Sequence, residues 1–316
     1  MTDFLTVLSF SFSVTGPIFV IIILGVLFMR VGIINDAFVD VGSRLVFNVA
    51  LPVLLFTSIS KTKFEKAANF DVVIFGATAT LIAYLLLELI AKRVIAEPAD
   101  RGVVVQGSFR SNMGIIGLAY CVNAYGNQGL AAAALYLAVV TMLYNVLSVI
   151  TLNRSLDKQK GLLPVLRSIA KNPLIISILL ALLVSWSGIQ IPALLLQSSQ
   201  YFANLTLPLA LLCAGASLNF MAMRLAIHST LITSVFKLLV LPTGFVVGGY
   251  LMGFRGLDLG LLLLMSSAPT AAASYVMVRA MGGNATLAAN IIVVTTLGSI
   301  VTTSIGIMIL RSNSLM

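Results

Sequence analysis

Arg110 and Asn112 stand two residues apart inside a long apolar stretch, and of all the residues in this chain they are best suited to recognise a charged ligand. A guanidinium presents a planar fork that makes two parallel hydrogen bonds to a carboxylate, and a neighbouring amide adds another donor. A charge deep within an apolar segment is costly and tends to be kept for a purpose. The competing use for Arg110 is a structural ion pair with the protein's own carboxylates or helix ends. Lys237, midway along another apolar run, can neutralise a carboxylate or phosphate in the same way, which makes it a coupling or relay candidate, or can reach the surface. Glu88 is the carboxylate placed well inside such a run and suggests a coupling or proton-relay role, while Lys92 four residues later offers it an ordinary i,i+4 ion pair.

The segments that carry these groups are poor helices where it matters. Glycines at 107, 114 and 117 flank Arg110 and Asn112, each weakening a helix by about 1 kcal/mol relative to alanine. A second stretch, Ser266-Ser267-Ala268-Pro269-Thr270, contains a proline that removes a backbone donor and frees a carbonyl. Gly114, Gly117 and Pro269 are therefore the expected helix breaks. Helices broken at mid-depth in two corresponding places are a signature of a carrier site, because half-helix ends and unpaired carbonyls supply ligands without extra charges. The alternative is that glycine and proline merely permit kinks and close packing. Packing is the expected use of Gly244, Gly248, Gly249 and Gly253, which form two overlapping Gly-x-x-x-Gly patterns.

The correspondence rests on an internal repeat. Asn-x-x-Leu-Pro occurs at Asn48 to Pro52 and again at Asn204 to Pro208, 156 positions on. The same offset lays Gly16-Pro17 on Asn172-Pro173 and Ala124-Tyr125-Gly126 on Ala280-Met281-Gly282, and predicts a gap-free duplication. With 59% hydrophobic and 9% charged residues over 316 positions, the chain lacks the polar side chains to clothe a soluble globule, whose charged share is usually about a quarter. Ten apolar stretches are each long enough to cross a hydrocarbon core of roughly 30 Å as helices. They run over 14–34, 40–60, 70–91, 103–123, 128–152, 172–190, 197–219, 226–251, 258–279 and 284–310. Five spans per copy is odd, so the second copy enters the membrane from the opposite side and the repeat is inverted. Twelve Lys and Arg residues fall on one side, including the basic 153–171 connection, against five on the other. Both termini are thus expected outside, with 153–171 in the cytoplasm. The net charge of +9 is then an orientation signal, helped by anionic lipid, and calls for no nucleic-acid partner.

Other chemistries have little to stand on. His228 is the one histidine, and at a helix start near Arg224 it reads as interfacial. Cys121 and Cys213 lie within spans and lack a metal or redox pattern. With no His-Glu-x-x-His and no paired intramembrane aspartates, neither a resident metal, a cofactor nor an enzyme is expected.

Arg110-Ser111-Asn112-Met113-Gly114-Ile115-Ile116-Gly117-Leu118 resembles the first crossover of the auxin efflux carrier family, bacterial branch. Ser267-Ala268-Pro269-Thr270-Ala271 with Tyr275-Val276-Met277 is similar to the second, and the two Asn-x-x-Leu-Pro copies match the family's second and seventh helices. The resemblance spans the chain and implies an all-α membrane fold of ten helices, shared with the bile-acid and sodium symporters, in which helices 4 and 9 unwind and cross. It further implies a scaffold from 14–60 and 172–219, which also forms a homodimer surface, and a moving transport unit from 70–152 and 226–310. Binding residues carried over are Asn112, Asn204, Pro269 and Thr270; Arg110, Ser267 and the repeat-related Asn48 complete the candidate substrate set. Ser111 replaces a glycine of the family pattern, and Ala119 and Ser274 stand where prolines are expected, so the crossover is expected to rely on glycine and hydroxyl residues.

The sequence therefore reads as a carrier of small organic anions in a bacterial inner membrane, with first repeat 1–152 and second repeat 172–316. It works by alternating access of the elevator type on carboxylates such as auxin-like acids, malonate or other dicarboxylates. A Na+- or H+-coupled symporter of the bile-acid kind is the close alternative, and a membrane receptor or channel is the alternative of another class. The topology is checked by labelling single cysteines in 153–171 with a membrane-impermeant reagent. They should react only after the cells are opened, and labelling from outside intact cells would overturn the orientation.

Overall fold

The computed structural model describes residues 4–60, 70–156, 173–187, 189, 191–217 and 227–316. Lys61, Lys63, Lys66, most of the basic connection and Arg224 lie outside the described residues, as do Asn172 and Gly188 of the repeat comparison. Among the described residues every regular element is helical. Helix α1 is Phe4–Arg30; α2, Asp36–Leu45, runs through a π-helical turn, Val46–Ala50, into α3, Leu51–Ser60. Then come α4 (Phe70–Val94), α5 (Pro98–Phe109), a π-helical turn Met113–Gly117, and α6 (Leu118–Ser155). The second half holds α7 (Pro173–Ser187), α8 (Ala193–Ala216), and α9 (Ile227–Val235), which a π-helical turn Phe236–Val240 joins to α10 (Leu241–Leu251). It ends with α11 (Gly256–Ser267), α12 (Ala273–Ala280) and α13 (Ala285–Ser312).

Local chemistry sets these boundaries. The Asn35 carboxamide accepts from the Phe38 amide at 2.9 Å to start α2, and Pro98 opens α5 where no amide donor is needed. Asn284 caps α13 by accepting from the Leu287 amide at 3.0 Å, and its Nδ2 donates to Asp100 at 3.0 Å, tying the start of α5 to α13. Gly126, at φ 60° and ψ −138°, breaks the long α6 in a conformation only glycine adopts readily. Its counterpart 156 positions on, Gly282, also has positive φ, at 76°.

The residues bridged at the two breaks, Ser111 and Thr270, are 159 positions apart, while the two turn glycines Gly126 and Gly282 are 156 apart.

Among the described residues six helical stretches are long and apolar enough to cross a membrane: 12–30, 36–57, 70–94, 113–155, 227–251 and 285–312. This is a membrane protein. On α4 the residues Ile74, Leu81, Leu85 and Leu89 are exposed, while Val73, Gly76, Thr80 and Leu87 are buried, so one face meets lipid and the other the protein. The two short helices α5 and α11 are different: residues 102–111 and 259–271 are buried on every side. They form the centre, covered by α4, α6, α10 and α13.

Small residues let the outer helices close in. A Cβ on Gly25 would lie 2.2 Å from the Leu212 carbonyl oxygen, and one on Gly215 would lie 2.0 Å from that of Ile22, so α1 and α8 meet backbone to backbone. Of the four glycines expected to pack, Gly248 and Gly249 do, against Phe75 and Leu262. Gly244 faces open space and Gly253 instead makes a turn at φ 91°. Gly215→Ala, which cannot avoid the Ile22 backbone, should destabilise the fold by about 1–3 kcal/mol, read as a lower thermal unfolding midpoint in detergent.

Candidate functional site

Two helices end inside the molecule and point at each other's breaks. α5 stops at Phe109 and α11 at Ser267, leaving their last carbonyls to find partners in a place with little water. The two interruptions satisfy one another. The Asn112 amide donates to the Pro269 carbonyl at 2.7 Å, and the Ala271 amide donates to the Arg110 carbonyl at 3.0 Å, an antiparallel bridge centred on Ser111 and Thr270. The hydroxyls repeat the exchange. Thr270 Oγ1 donates to the Gly107 carbonyl at 2.7 Å, and Ser111 Oγ donates to the Ser266 carbonyl at 3.3 Å. Thr295 on α13 then accepts from the Thr270 amide at 3.2 Å.

The first break thus falls at Arg110–Asn112, ahead of the glycines expected to cause it. Gly114 and Gly117 both lie in the π-helical turn that follows. Gly107 and Gly117 serve as points of close approach, since a Cβ on either would come within 3.0 Å of Ile291 and Thr233 or of the Met265 sulfur. Gly114 has nothing nearer than 3.7 Å. Pro269 does lie in the second break, and no proline is needed in the first, where Ala119 is helical.

Arg110 is 7% exposed and turns its head toward α6, where Nη2 donates to Asn145 Oδ1 at 2.7 Å and Nη1 to Ser148 Oγ at 3.2 Å. Met277 Sδ lies 3.5 Å from Nη1. No carboxylate pairs with Arg110 among the described residues. Asn112 is half-buried; its carbonyl receives the Ile116 and Gly117 amides, and its side chain makes no hydrogen bond among the described residues. Ser267 is the buried last residue of α11.

Lys237 does not reach the surface. It is 1% exposed, and its Nζ donates to the Ser266 carbonyl at 3.0 Å and to the Ser111 hydroxyl. Beside it lies a small cavity of about 10 Å³, room for about one water molecule, lined by Thr80, Phe109, Ser111, Tyr144 and Ser266 among others.

Other expected members lie elsewhere. Glu88 accepts from the Thr151 hydroxyl and sits 3.6 Å from Arg154 Nη1, so its ion pair joins α4 to α6 and does not involve Lys92. Asn48 and Asn204 are both exposed; Asn204 accepts from Gln200 at 2.9 Å, and no hydrogen bond joins either residue to the crossover. Sequence reasoning passed over Tyr144, Asn145, Ser148 and Thr295. Asn145 had a signal, being an amide midway along an apolar helix, whereas isolated hydroxyls in membrane helices usually bond their own helix and carry none.

A family model described as a membrane transport protein matches residues 12–307. The chain belongs to this family of membrane transport proteins. It is the auxin efflux carrier family that the crossover motifs resemble, and it is a family of transporters and not of enzymes. An uncharacterized transporter of Methanocaldococcus jannaschii is 26% identical over 271 residues, covering 82% of this chain and 86% of the relative. An uncharacterized transporter of Methanothermobacter thermautotrophicus is 24% identical over 262 residues, covering 80% and 83%.

Two substitutions in this transport protein separate the crossover from its periphery. Thr270→Val keeps the shape but strips the Gly107 carbonyl of its partner, and should lower stability by about 1–3 kcal/mol. Glu88→Gln removes one partly exposed ion pair and should cost less than about 1 kcal/mol. Thermal unfolding of both variants checks the contrast, and a larger loss for Glu88→Gln would reverse the ranking.

Proposed function

We propose that the protein is a secondary carrier of small organic anions that works by alternating access. The observation that carries this reading is the buried crossing of two broken helices with a cation, Arg110, in the first break and no carboxylate paired with it among the described residues. A buried charge without a counter-ion is costly unless something else neutralises it during the working cycle, and a substrate carboxylate does that. Arg110 is held by Asn145 and Ser148 in a fixed orientation, and the Asn112 amide beside it has hydrogen-bonding capacity to spare. Together they make a carboxylate receptor at the crossover, with Ser267, Pro269 and Thr270 completing its second wall. Asn48 and Asn204 belong to the reading as groups a substrate meets from the scaffold side.

In this reading ten membrane-crossing helices form two inverted repeats, both termini are outside, and a scaffold from 14–60 and 172–219 supplies a homodimer surface. The transport unit around the crossover moves against that scaffold as an elevator in the plasma membrane. The transporter names of the two archaeal relatives support the general role.

Calorimetry with a panel of mono- and dicarboxylates on the folded protein tests the site. Asn112→Ala should weaken binding by about 1.5–3 kcal/mol, roughly ten- to hundredfold, through loss of a hydrogen bond to a charged group. Arg110→Lys should also weaken it, because an ammonium cannot hold Asn145, Ser148 and a carboxylate with one planar fork. Arg93→Ala, at the exposed end of α4, should leave affinity unchanged. If both site variants stay folded and bind as tightly as the parent, the anion site lies elsewhere.

A further inference from the structure

The surroundings of Lys237 are those of a cation site. Its two acceptors are a main-chain carbonyl, Ser266, in the last turn of α11, and a hydroxyl, Ser111, in the break that follows α5. The carboxyl ends of both half-helices converge here, and a helix C-terminus carries negative partial charge on carbonyls that its own turns cannot satisfy. The Thr80 and Tyr144 side chains line the same cavity, as do Ser111 and Ser266. Carbonyl and hydroxyl oxygens at broken-helix ends are the ligand set with which carriers hold a coupling Na+. Here the set already surrounds an ammonium delivered from a third helix, by the π-helical turn between α9 and α10. Among the described residues no carboxylate lines the cavity to balance a second positive charge.

We infer that Lys237 is a resident cation that occupies the place a coupling Na+ would need, so that this carrier holds its crossover together without Na+. The ammonium does for the two half-helices what a bound alkali ion does elsewhere. It joins Ser266 of one to Ser111 of the other and neutralises the convergent helix ends. An alkali ion entering beside it meets a like charge at contact distance, in surroundings that screen poorly. The same geometry argues against Lys237 as the substrate's receptor, because an anion placed there would face two helix C-termini. This inference deepens the carrier reading by deciding between Na+ coupling and its absence.

The test needs no substrate. Thermal unfolding of the full-length protein is compared in NaCl, KCl and choline chloride at equal ionic strength, for the parent and for Lys237→Asn, which empties the site and adds one oxygen. The parent should unfold at the same temperature in all three salts, within about 1 °C. Lys237→Asn should be less stable in choline and regain roughly 3 °C or more in NaCl, in a saturable manner. Recovery of the variant only from Na+-containing buffers supports the inference equally; where the variant fails to fold in every salt, Lys237→Gln takes its place in the same comparison. A parent stabilised by Na+ over choline overturns the inference, and so does a folded Lys237→Asn indifferent to Na+. Since none of these readings involves an anion, failure to bind carboxylates would sink the carrier reading alone, and a parent whose carboxylate binding requires Na+ would sink only this one.

Discussion

Two helices that stop in the middle of a membrane protein leave backbone groups with no water to turn to, and the rest of this structure is arranged around meeting that demand. Each unsatisfied group in such a place costs several kcal/mol. The two interruptions meet it reciprocally, through the bridge between Ser111 and Thr270 and through hydroxyls that each donate to a carbonyl of the opposite half-helix. Because neither break is satisfied without the other, the two halves of the chain are locked together at this point. The burial of residues 102–111 and 259–271 follows, as do the surrounding helices with one face toward this centre and one toward lipid.

Charge is distributed with the same economy. Arg110 stands in the first break of the crossing, its head among side-chain oxygens of α6, while Lys237 reaches the half-helix ends from the turn between α9 and α10. Their roles therefore diverge although both are buried cations. A planar guanidinium held by two acceptors keeps a fixed direction, which suits recognition; a compact ammonium surrounded by carbonyl and hydroxyl oxygens suits neutralisation. The Glu88 and Arg154 pair lies apart from this, with Arg154 largely exposed, and acts as a clasp between α4 and α6.

How the helices approach matters as much as their polarity. Gly25 and Gly215 bring α1 and α8 into backbone contact, and Gly76 leaves room for the Tyr136 ring between α4 and α6. Such contacts rely on dispersion and shape, since lipid offers no hydrophobic drive for one apolar helix to prefer another. They are intolerant of a single added methyl group.

By itself the sequence determined the all-helical membrane character, the family, and the stretches in which Arg110, Asn112, Pro269 and Thr270 break an apolar run. Those properties are local: hydropathy, turn residues and motif spacing act within one segment, so a linear reading recovers them. Tertiary structure decided the rest, because it depends on which helices become neighbours. Glu88 chose Arg154 over Lys92 since α4 packs on α6, and Arg110 turned to Asn145 and Ser148, 35 and 38 residues along the chain. Lys237 met Ser111, 126 residues away, at a break placed by backbone pairing with Pro269 and Thr270 and not by the glycines beside it. Pairing partners across the crossover are set by reciprocal hydrogen bonds in three dimensions, which no linear spacing specifies.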